Sequence, residues 1–514
     1  MKRGGVPEIR HRAATAGRSA VTHEVVSSGV PGLDYLLGGG FPARRIYLVH
    51  GPTGSGKTTL GTQFAMAGLR AGETTLYVTL AESHEEMMQV AESHGWDLAG
   101  LALFAPQATE AGDVFKDQYT LFHPGEVELT DLITRIIDEI SQLRPVRVVI
   151  DSLADIRLLA RDPLILLRQM RLLRTTLAET HCTVLLLNNR LADHDRSGSL
   201  ETFAHGIIEL EYSDRLYGAM RRCVSIIKLR GAPHLSGRHD ARLTTGGLTV
   251  YPRLVAEKAD CNEEDMDIGE LISSGSPELD RLCGGGLEPG SSTMIIGSAG
   301  TGKSTVAAQF ALAAAERGEC SSLFLFDETD RSCRLRWDGM NMPLNGYVEQ
   351  GVIETCTVDP TEISPGEFCH RVRAAVETRD TRIVVIDSLS GYMQVMPESR
   401  FMEVHLFELL KYLNARNVLS ILIVTQHGIL GSTLESPIDV SYLIDTILLM
   451  RYFEANGEVH KAISVVKKRL GKHERTIREC EVGSRGLRVG EPLDKLHGVL
   501  TGIPSFRGET HRLL

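Results

Sequence analysis

The sequence predicts an α/β protein with two tandem domains, each built on a mainly parallel sheet with helices on both faces. The first observation is length, because a chain of 514 residues exceeds what one hydrophobic core organises. The second is a repeat: the segment that begins at Ser27 matches the one that begins at Ser273 without a gap, at an offset of 246 residues. The third is the alternation of apolar strands and amphipathic helices within each copy. The chain is therefore a duplicated domain rather than a short-period solenoid.

Four apolar runs in each copy predict the strands of the sheet. In the first copy they read RIYLVH, TTLYVTL, VRVVIDS and TVLLLNN, and in the second TMIIG, SSLFLF, RIVVIDS and SILIVTQ. A helical segment follows the first strand in both copies, TTLGTQFAMAGLRAG and STVAAQFALAAAERG. Strands that are apolar throughout are typical of a parallel sheet that is buried on both faces.

An acidic segment with little apolar pattern, VAEKADCNEEDMDIGE, separates the two copies. The N-terminal arm carries basic residues without a following apolar segment, so it does not resemble a secretory signal. The C-terminal tail lacks long periodicity and is expected either to dock on the protein or to recruit a partner. We therefore predict a flexible basic arm at 1–22, a first domain at 23–253, an acidic linker at 254–266, a second domain at 267–490 and a tail at 491–514.

Composition and charge argue against several classes of protein. The chain is 42% hydrophobic and 24% charged, which is typical of a soluble globular protein, and no apolar run is long enough to span a membrane. Nine scattered cysteines without a Cys-x-x-Cys pair argue against a disulfide scaffold or a zinc site and favour reduced thiols in the cytoplasm. A formal net charge of −11 argues against a protein that coats nucleic acid, although it is compatible with a local basic channel.

Both copies carry a phosphate-binding loop of the form G-x-x-x-x-G-K-[ST] between a predicted strand and a predicted helix. Its glycines let backbone N–H groups turn toward phosphates, and the helix N-terminus adds partial positive charge. Lys57 and Lys303 are expected to bridge the terminal phosphates of ATP, while the hydroxyls of Thr58 and Ser304 bind Mg²⁺. The predicted nucleotide-binding residues are Gly51, Thr53, Gly54, Ser55, Gly56, Lys57, Thr58 and Thr59 in the first loop and Gly297, Ala299, Gly300, Thr301, Gly302, Lys303, Ser304 and Thr305 in the second.

Acidic residues follow the second and third predicted strands, at the edge where open α/β sheets bind ligands. Asp151 and Asp387 end the third strand of each copy and are predicted to hold Mg²⁺ through water. Glu82, Asp327 and Glu328 follow the second strand and are the catalytic candidates. A carboxylate opposite the terminal phosphate can polarise a water molecule or accept the proton of a hydroxyl group. The alternative for these three residues is a solvated acid at a strand end.

Together, these motifs resemble the KaiC family, tandem-domain members of the RecA-like ATPases, from Ser27 to Gly490. SGVPGLDYLLGGG and SGSPELDRLCGGG resemble the family's lead-in to the phosphate loop, and IDSLADI and IDSLSGY resemble its magnesium-aspartate segments. The resemblance implies two RecA-like P-loop NTPase domains, a homohexamer of two stacked rings, and ATP bound between neighbouring subunits.

Two further segments, IIKLRGAPHLSG and VVKKRLGKHERTIRECEV, resemble the family's late Lys-x-Arg segments. The resemblance implies that Lys228 and Arg230, and likewise Lys467 and Arg469, reach the terminal phosphate held by the neighbouring subunit. A cation supplied from a neighbour stabilises charge that develops on the transferred group and makes hydrolysis depend on assembly. A basic pair on an exposed strand end is the alternative.

The acids after the second strand depart from the family's usual pair of adjacent glutamates. This chain has Ala81–Glu82 in the first copy and Asp327–Glu328 in the second. The loss of one carboxylate at Ala81 puts hydrolysis by the first domain in question. Asp327 keeps a carboxylate but withdraws it by one methylene, which matters where positioning supplies much of the catalysis.

A second departure concerns the residues that the founding clock proteins phosphorylate on a neighbouring subunit, a Ser-Thr pair. The matching stretch SPIDVSYLIDTILLM places Ser441 on the serine of that pair and Tyr442 on the threonine. Ser441 is therefore the phosphoacceptor candidate, and Ser436 is a further nearby hydroxyl. An interface serine without a phosphoacceptor role is the alternative.

We therefore expect a KaiC-like, ATP-hydrolysing signalling protein with serine/threonine autokinase activity in the second domain, read by an unidentified protein partner. The first domain is expected to bind ATP chiefly to hold the ring together. A RecA-like DNA-dependent ATPase is one rival, although an aromatic fraction of 5% and the acidic charge count against it. A nucleotide-gated scaffold with little turnover is the other, and Ala81 favours it for the first domain.

Overall fold

The computed structural model divides the chain into two compact units, Met1–Arg253 and Leu254–Leu514. The predicted arm, Ala81, most of the predicted linker and most of the tail lie outside the described residues. Within the described part, no helix is both long and apolar enough to cross a membrane. The structure describes residues 24–80, 82–106, 124–160, 163–189, 198–213, 218–254, 270–395, 399–426, 440–455, 457–484, 486–499 and 505–506.

The first unit alternates strands and helices through its N-terminal two thirds and then ends in consecutive strands. Its helices are α1 (Leu33–Leu36), α2 (Lys57–Arg70), α3 (His84–His94), α4 (Pro124–Leu143), α5 (Leu153–Leu159), α6 (Pro163–Glu179) and α7 (Gly198–Phe203). Its strands are β1 (Val25–Val26), β2 (Phe41–Pro42), β3 (Ile46–Gly51), β4 (Thr75–Thr79), β5 (Ala102–Phe104), β6 (Arg147–Asp151), β7 (Thr183–Asn189), β8 (Gly206–Ser213), β9 (Arg221–Leu229), β10 (Arg238–Thr244) and β11 (Gly247–Tyr251).

Nine of these strands form one sheet, in the order β5-β4-β6-β7-β3-β8-β9-β10-β11. The strands from β5 to β8 are parallel, whereas β9, β10 and β11 are added antiparallel. The four runs predicted as strands are β3, β4, β6 and β7. Along β6, Val149 packs into one buried cluster, while Val148 and Ile150 pack into another. Alternate residues of a strand point to opposite faces, so the sheet has a hydrophobic core on each side, as the apolar runs predict.

The second unit repeats the main-sheet strands of the first and has one more helix between its second and third strands. Its helices are α8 (Pro277–Leu282), α9 (Lys303–Glu316), α10 (Asp330–Gly339), α11 (Leu344–Glu349), α12 (Pro365–Arg379), α13 (Leu389–Val395) and α14 (Ser399–Ala415). Its strands are β12 (Ser292–Gly297), β13 (Cys320–Leu325), β14 (Ile353–Thr357), β15 (Thr381–Asp387), β16 (Leu419–Thr425), β17 (Thr446–Ala455), β18 (Glu458–Lys468), β19 (Arg478–Gly483), β20 (Gly486–Pro492), β21 (Leu496–His497) and β22 (Ser505–Phe506).

The main sheet of the second unit runs β14-β13-β15-β16-β12-β17-β18-β19-β20, the same order as in the first unit. It is parallel from β14 to β17 and antiparallel from β17 to β20. The predicted α/β class, with a mainly parallel sheet in each domain and helices on both faces, is confirmed. The phosphate loops and the predicted acids follow parallel strands, so both sets lie at the carboxyl edge of their sheet.

Candidate active sites at the two phosphate loops

The first phosphate loop joins β3 to α2 and turns at two glycines with positive φ. Gly54 has φ 80° and Gly56, the N-cap of α2, has φ 102°, a region that glycine adopts without steric cost. No side chain caps the first turn of α2. The N–H groups at this helix end are therefore available to an anionic ligand.

Lys57 lies folded into the first loop and is 6% exposed. Its Nζ donates to the carbonyl oxygens of Gly51 at 2.9 Å and Pro52 at 2.7 Å. Burial lowers the pKa of Lys57, an effect that the charge of Asp151 opposes. The buried Oγ of Ser55 has no hydrogen-bond partner within the described residues. A buried cation and an unsatisfied hydroxyl in one loop fit a phosphate group.

The predicted magnesium ligands of the first domain contact each other. Thr58 Oγ1 donates to Asp151 Oδ2 at 2.7 Å, and the hydroxyl of Tyr77 donates to the same oxygen at 3.0 Å. Burial raises the pKa of Asp151, although these two hydrogen bonds and the charge of Lys57 act in the opposite direction. A hydroxyl and a carboxylate beside the phosphate loop are the oxygen ligands that Mg²⁺ takes in nucleotide sites. When bound, Mg²⁺ would neutralise charge on the phosphates.

The second loop repeats this backbone. Gly300 has φ 80° and Gly302, the N-cap of α9, has φ 109°. A Cβ placed on Gly302 would come within 2.8 Å of Val482 Cγ2, so this position is constrained by space as well as by conformation. Gly297 ends β12, and the remaining predicted residues lie in the two loops or in the first turn of the following helix: Thr53 and Thr59 in the first unit, and Ala299, Thr301 and Thr305 in the second.

Lys303 donates from Nζ to the carbonyl oxygen of Ser298 at 2.8 Å and is 6% exposed. Burial lowers its pKa to about 8, while the charges of Asp387 and Asp327 oppose the shift. Asp387 accepts a hydrogen bond from Ser304, and burial raises its pKa to about 6. Ser304 and Asp387 thus repeat the hydroxyl–carboxylate pair of the first loop, as their spacing predicts.

The acids after β4 and β13 have different surroundings in the two domains. Glu82 immediately precedes Ser83, the N-cap of α3, and its backbone N–H donates to Thr79 Oγ1 at 3.1 Å. Burial, followed by the charges of Asp151 and Glu86, raises the pKa of Glu82. Its Oε2 is buried and has no hydrogen-bond partner among the described residues. In the part of the chain that the structure describes, Glu82 therefore has no ion-pair partner.

Glu328 immediately precedes Thr329, the N-cap of α10, and forms an ion pair with Arg336 through Oε1. Asp327 contributes to the electrostatic environment of both Lys303 and Asp387. Two carboxylates therefore follow β13 in the second site: that of Glu328 faces Arg336, and that of Asp327 influences Lys303.

Comparison with known sequences identifies the family. A family model for the KaiC ATPase matches two ranges, residues 26–255 and 272–494, which coincide with the two α/β units. The chain belongs to the KaiC family of ATPases. Its two sheets are therefore tandem RecA-like domains, as the resemblance implied, and membership of this ATPase family implies that the chain binds nucleotide.

Several relatives are similar over almost the whole chain. A circadian clock protein KaiC3 from Synechocystis is 26% identical over 498 residues, which is 95% of this chain and 96% of that protein. The circadian clock oscillator protein KaiC from Acaryochloris marina is 26% identical, covering 93% of this chain and 90% of that protein. The KaiC from Thermostichus vulcanus is 25% identical, covering 96% and 94%. The likeness therefore extends through both domains.

The late Lys-x-Arg residues lie at the ends of β9 and β18. Lys228 donates to the carbonyl oxygen of Glu201 at 2.7 Å, and Arg230 donates to that of Thr202 at 3.4 Å. Lys467 donates to the carbonyl oxygen of Ile444 at 2.6 Å. None of the hydrogen bonds described for these side chains reaches a phosphate loop of the same chain. Their predicted role toward a neighbouring subunit stays a prediction.

Ser441 begins a short 3-10 turn, Ser441–Leu443, just before β17. Its carbonyl oxygen accepts a hydrogen bond from Lys467, and that of Tyr442 accepts one from Arg469. The Lys-x-Arg segment of the second domain thus holds the turn that carries the predicted phosphoacceptor. Ser436 lies outside the described residues.

Two contacts in these sites were not predicted from the motifs. The hydroxyl of Tyr77 donates a hydrogen bond to Asp151 in the first domain, and Arg336 pairs with Glu328 in the second. Both side chains stand within ordinary strand or helix sequence, and the contacts join residues from separate elements. A comparison of the two copies could have drawn attention to them. Tyr77 aligns with Leu323 and Arg336 with Val90, so each polar side chain is present in one copy and replaced by an apolar one in the other.

Proposed function

We propose that the chain hydrolyses ATP at both phosphate loops and, in its second domain, transfers the terminal phosphoryl group to Ser441 of a neighbouring subunit. The active assembly is a homohexameric double ring, with Mg·ATP held between subunits and the state of the ring read by a protein partner. The supporting observation is that each loop is joined to a hydroxyl–carboxylate pair and followed by a strand-end acid, in a chain of the KaiC ATPase family.

The proposed step in the second domain is an in-line phosphoryl transfer. The oxygen of water or of Ser441 forms a bond to the γ-phosphorus as the bond to the β-phosphate oxygen breaks, and ADP leaves with that electron pair. Glu328 or Asp327 accepts the proton that the attacking oxygen loses. Lys303 stabilises charge on the transferred group. Ser304 and Asp387 would hold Mg²⁺, which would neutralise further charge on the phosphates.

The Lys-x-Arg side chains complete each site from the neighbouring subunit in this proposal. Lys228 and Arg230 serve the first site, and Lys467 and Arg469 the second. Their present partners are backbone carbonyl oxygens, which are neutral acceptors. Exchange of a carbonyl partner for a phosphate oxygen gives each cation an acceptor of opposite charge and so strengthens the contact.

The first domain is proposed to turn over slowly and to serve mainly in assembly. Position 81 supplies no carboxylate, and burial raises the pKa of Glu82, so a smaller fraction of that acid is ionised and ready to accept a proton. A site that binds ATP tightly and releases it slowly stabilises an interface that contains the nucleotide.

Incubation with ATP labelled at the γ-phosphate, followed by mapping of protein-bound label, tests the kinase part of the proposal. Label is expected on Ser441, and both Ser441→Ala and Lys303→Ala should remove it. Release of labelled phosphate without any labelled peptide would reduce the function to hydrolysis. Label that persists in Lys303→Ala would show that the second loop does not supply the phosphoryl group.

A further inference from the structure

We propose that Arg336 is a positioning residue for Glu328, which it holds in place for proton transfer at the second site. The inference rests on the proposed role of Glu328 as a proton acceptor. Arg336 was not among the sequence-predicted site residues, and nothing in the Lys-x-Arg or phosphate-loop motifs includes it.

The first observation is the ion pair itself. Arg336 Nη2 donates to Glu328 Oε1, and the two side chains are 30% and 24% exposed. Both partners are therefore partly withdrawn from water, where an arginine–carboxylate pair has a better-defined geometry than on an open surface. The pair uses one carboxylate oxygen of Glu328 in this contact, and the side chain remains partly accessible.

A second residue supports the same carboxylate. Cys333 is buried and hydrogen-bonded to Glu328, and its Sγ lies 3.6 Å from Arg336 Nη2. Cys333 and Arg336 are three residues apart on α10, so they share one face of the helix. Glu328 itself is fixed at the start of α10, where Thr329 Oγ1 accepts the N–H of Ser332 at 3.2 Å. The acid is thus held by its backbone and by two side chains of the helix that follows.

The surroundings of the pair are those of the candidate active site. Asp387, the predicted magnesium ligand, lies close enough to both Glu328 and Arg336 for their charges to affect it. Arg336 therefore places a positive charge beside the carboxylates of Glu328 and Asp387. Without it, mutual repulsion would push these groups apart and leave Glu328 free to adopt other rotamers.

The first domain lacks this arrangement at the equivalent positions. Glu82 corresponds to Glu328, Met87 to Cys333 and Val90 to Arg336 at the offset of 246 residues. Neither replacement can donate a hydrogen bond from its side chain, and Glu82 Oε2 is buried without a hydrogen-bond partner in the described part of the chain. Positioning by α10 is therefore a property of the second site.

The expected consequence of losing Arg336 is a slower chemical step with unchanged nucleotide binding. A displaced proton acceptor costs rate because the reacting atoms no longer meet in line, and a shift of about 1 Å can cost about 100-fold. Arg336 is not part of the phosphate loop, so KM for ATP should stay within about twofold.

The experiment uses the full chain with Glu82→Gln, in which second-site turnover is defined as the part that Lys303→Ala removes. In this background, Arg336→Gln is expected to lower kcat about 10- to 100-fold, and Arg336→Lys, which keeps the cation, to recover part of it. Arg334→Gln is the matched control, because Arg334 also forms an ion pair on α10, at 2.8 Å with Asp330, and should leave kcat unchanged. Thermal unfolding midpoints of all variants verify that the fold is retained.

A double-mutant cycle distinguishes positioning from a merely structural role. If Arg336 acts through Glu328, Arg336→Gln should cause no further loss of kcat in a Glu328→Gln background. An equal loss in both backgrounds, or a kcat that Arg336→Gln leaves unchanged or raises, would overturn the inference. If Glu328→Gln alone leaves second-site turnover intact, the proposed function of Glu328 fails instead. If Arg336→Gln does not fold, Arg336→Lys provides the same test. The inference then predicts a higher kcat for Arg336→Lys than for Glu328→Gln.

Discussion

The two nucleotide sites share one backbone plan and differ in the charges around it. Both sheets have the same strand order, both loops bury a lysine, and both predicted magnesium ligands, Asp151 and Asp387, accept a hydrogen bond from the hydroxyl that follows that lysine. The strand-end acids differ, because Glu82 has a buried, unpartnered Oε2 in the described structure, whereas Glu328 is paired with Arg336. The two copies thus share the backbone of the sheet and the phosphate loop, and they differ in the side chains around the acid that follows the second strand.

A second difference concerns the middle residue of each Lys-x-Arg segment and the residue that is buried near it in the second domain. Lys468, between Lys467 and Arg469, forms a buried ion pair with Glu288 at 3.0 Å, with the two side chains 1% and 5% exposed. Its Nζ also donates to the carbonyl oxygens of Cys283 and Gly286. The equivalent residues of the first domain are Leu229 and Pro42, both buried. An ion pair thus occupies these positions in the second domain, and two buried apolar residues occupy them in the first.

The largest effects are expected when each phosphate-loop lysine is removed. Lys303→Ala should lower second-site turnover about 100- to 1,000-fold, because it removes a cation aimed at developing charge, while ATP-dependent assembly persists. Lys57→Ala should instead prevent assembly. Mass photometry with and without ATP, together with phosphate release, measures both. Assembly that survives Lys57→Ala and fails in Lys303→Ala would reverse the division of roles.

Breaking the buried ion pair should destabilise the second domain. Lys468→Met leaves Glu288 charged, buried and unpaired, and this is expected to lower the free energy of unfolding by about 3–5 kcal/mol. The control Leu229→Met exchanges one apolar side chain for another of similar volume, and should cost less than about 1.5 kcal/mol. Urea titration followed by circular dichroism measures both changes. Equal, small losses would show that the buried pair is not needed to hold the segment.

The pH dependence of the first site sharpens the comparison. Glu82 must be ionised to accept a proton, and its raised pKa keeps it protonated to a higher pH than the ordinary value for glutamate, about 4.3. First-site turnover should therefore fall as the pH is lowered through this raised pKa. Val90→Arg supplies a cation at the position equivalent to Arg336, which favours the ionised acid and should extend turnover to lower pH.

The pH–rate profile is measured in a Glu328→Gln background, so that the first site dominates turnover. Val90→Gln is the control, because it adds a polar side chain without a charge. If Val90→Arg and Val90→Gln shift the acidic limb of the profile equally, the electrostatic explanation of the difference between Glu82 and Glu328 is wrong.

Much of the fold could be predicted because it depends on local patterns. The apolar runs specified β3, β4, β6 and β7 and their counterparts, and the glycine spacing specified both loops with Lys57 and Lys303. The antiparallel extension from β8 to β11 was not predicted, because the sequence pattern of these strands does not determine the order in which they pair. Its register includes a bulge between Ile207 and Ile208 that depends on tertiary pairing.

The site was predictable where its residues follow strands directly, and not where separate elements meet. Asp151 and Asp387 could be placed because parallel strands end at one edge of a sheet. The contact between Arg336 and Glu328 depends on the direction of α10 relative to the end of β13. The contact between Tyr77 and Asp151 forms because β4 and β6 are neighbours in the sheet. Neither follows from the spacing of residues in one segment.

Steady-state ATP turnover of the full chain with Glu82→Gln or Glu328→Gln tests most directly whether the two sites divide the work. Each substitution removes one proposed proton acceptor and keeps the side-chain volume, so the two results are comparable. Glu328→Gln is expected to remove most of the turnover, and Glu82→Gln only a minor part. Equal losses, or a larger loss with Glu82→Gln, would contradict the assignment of the main catalytic role to the second domain.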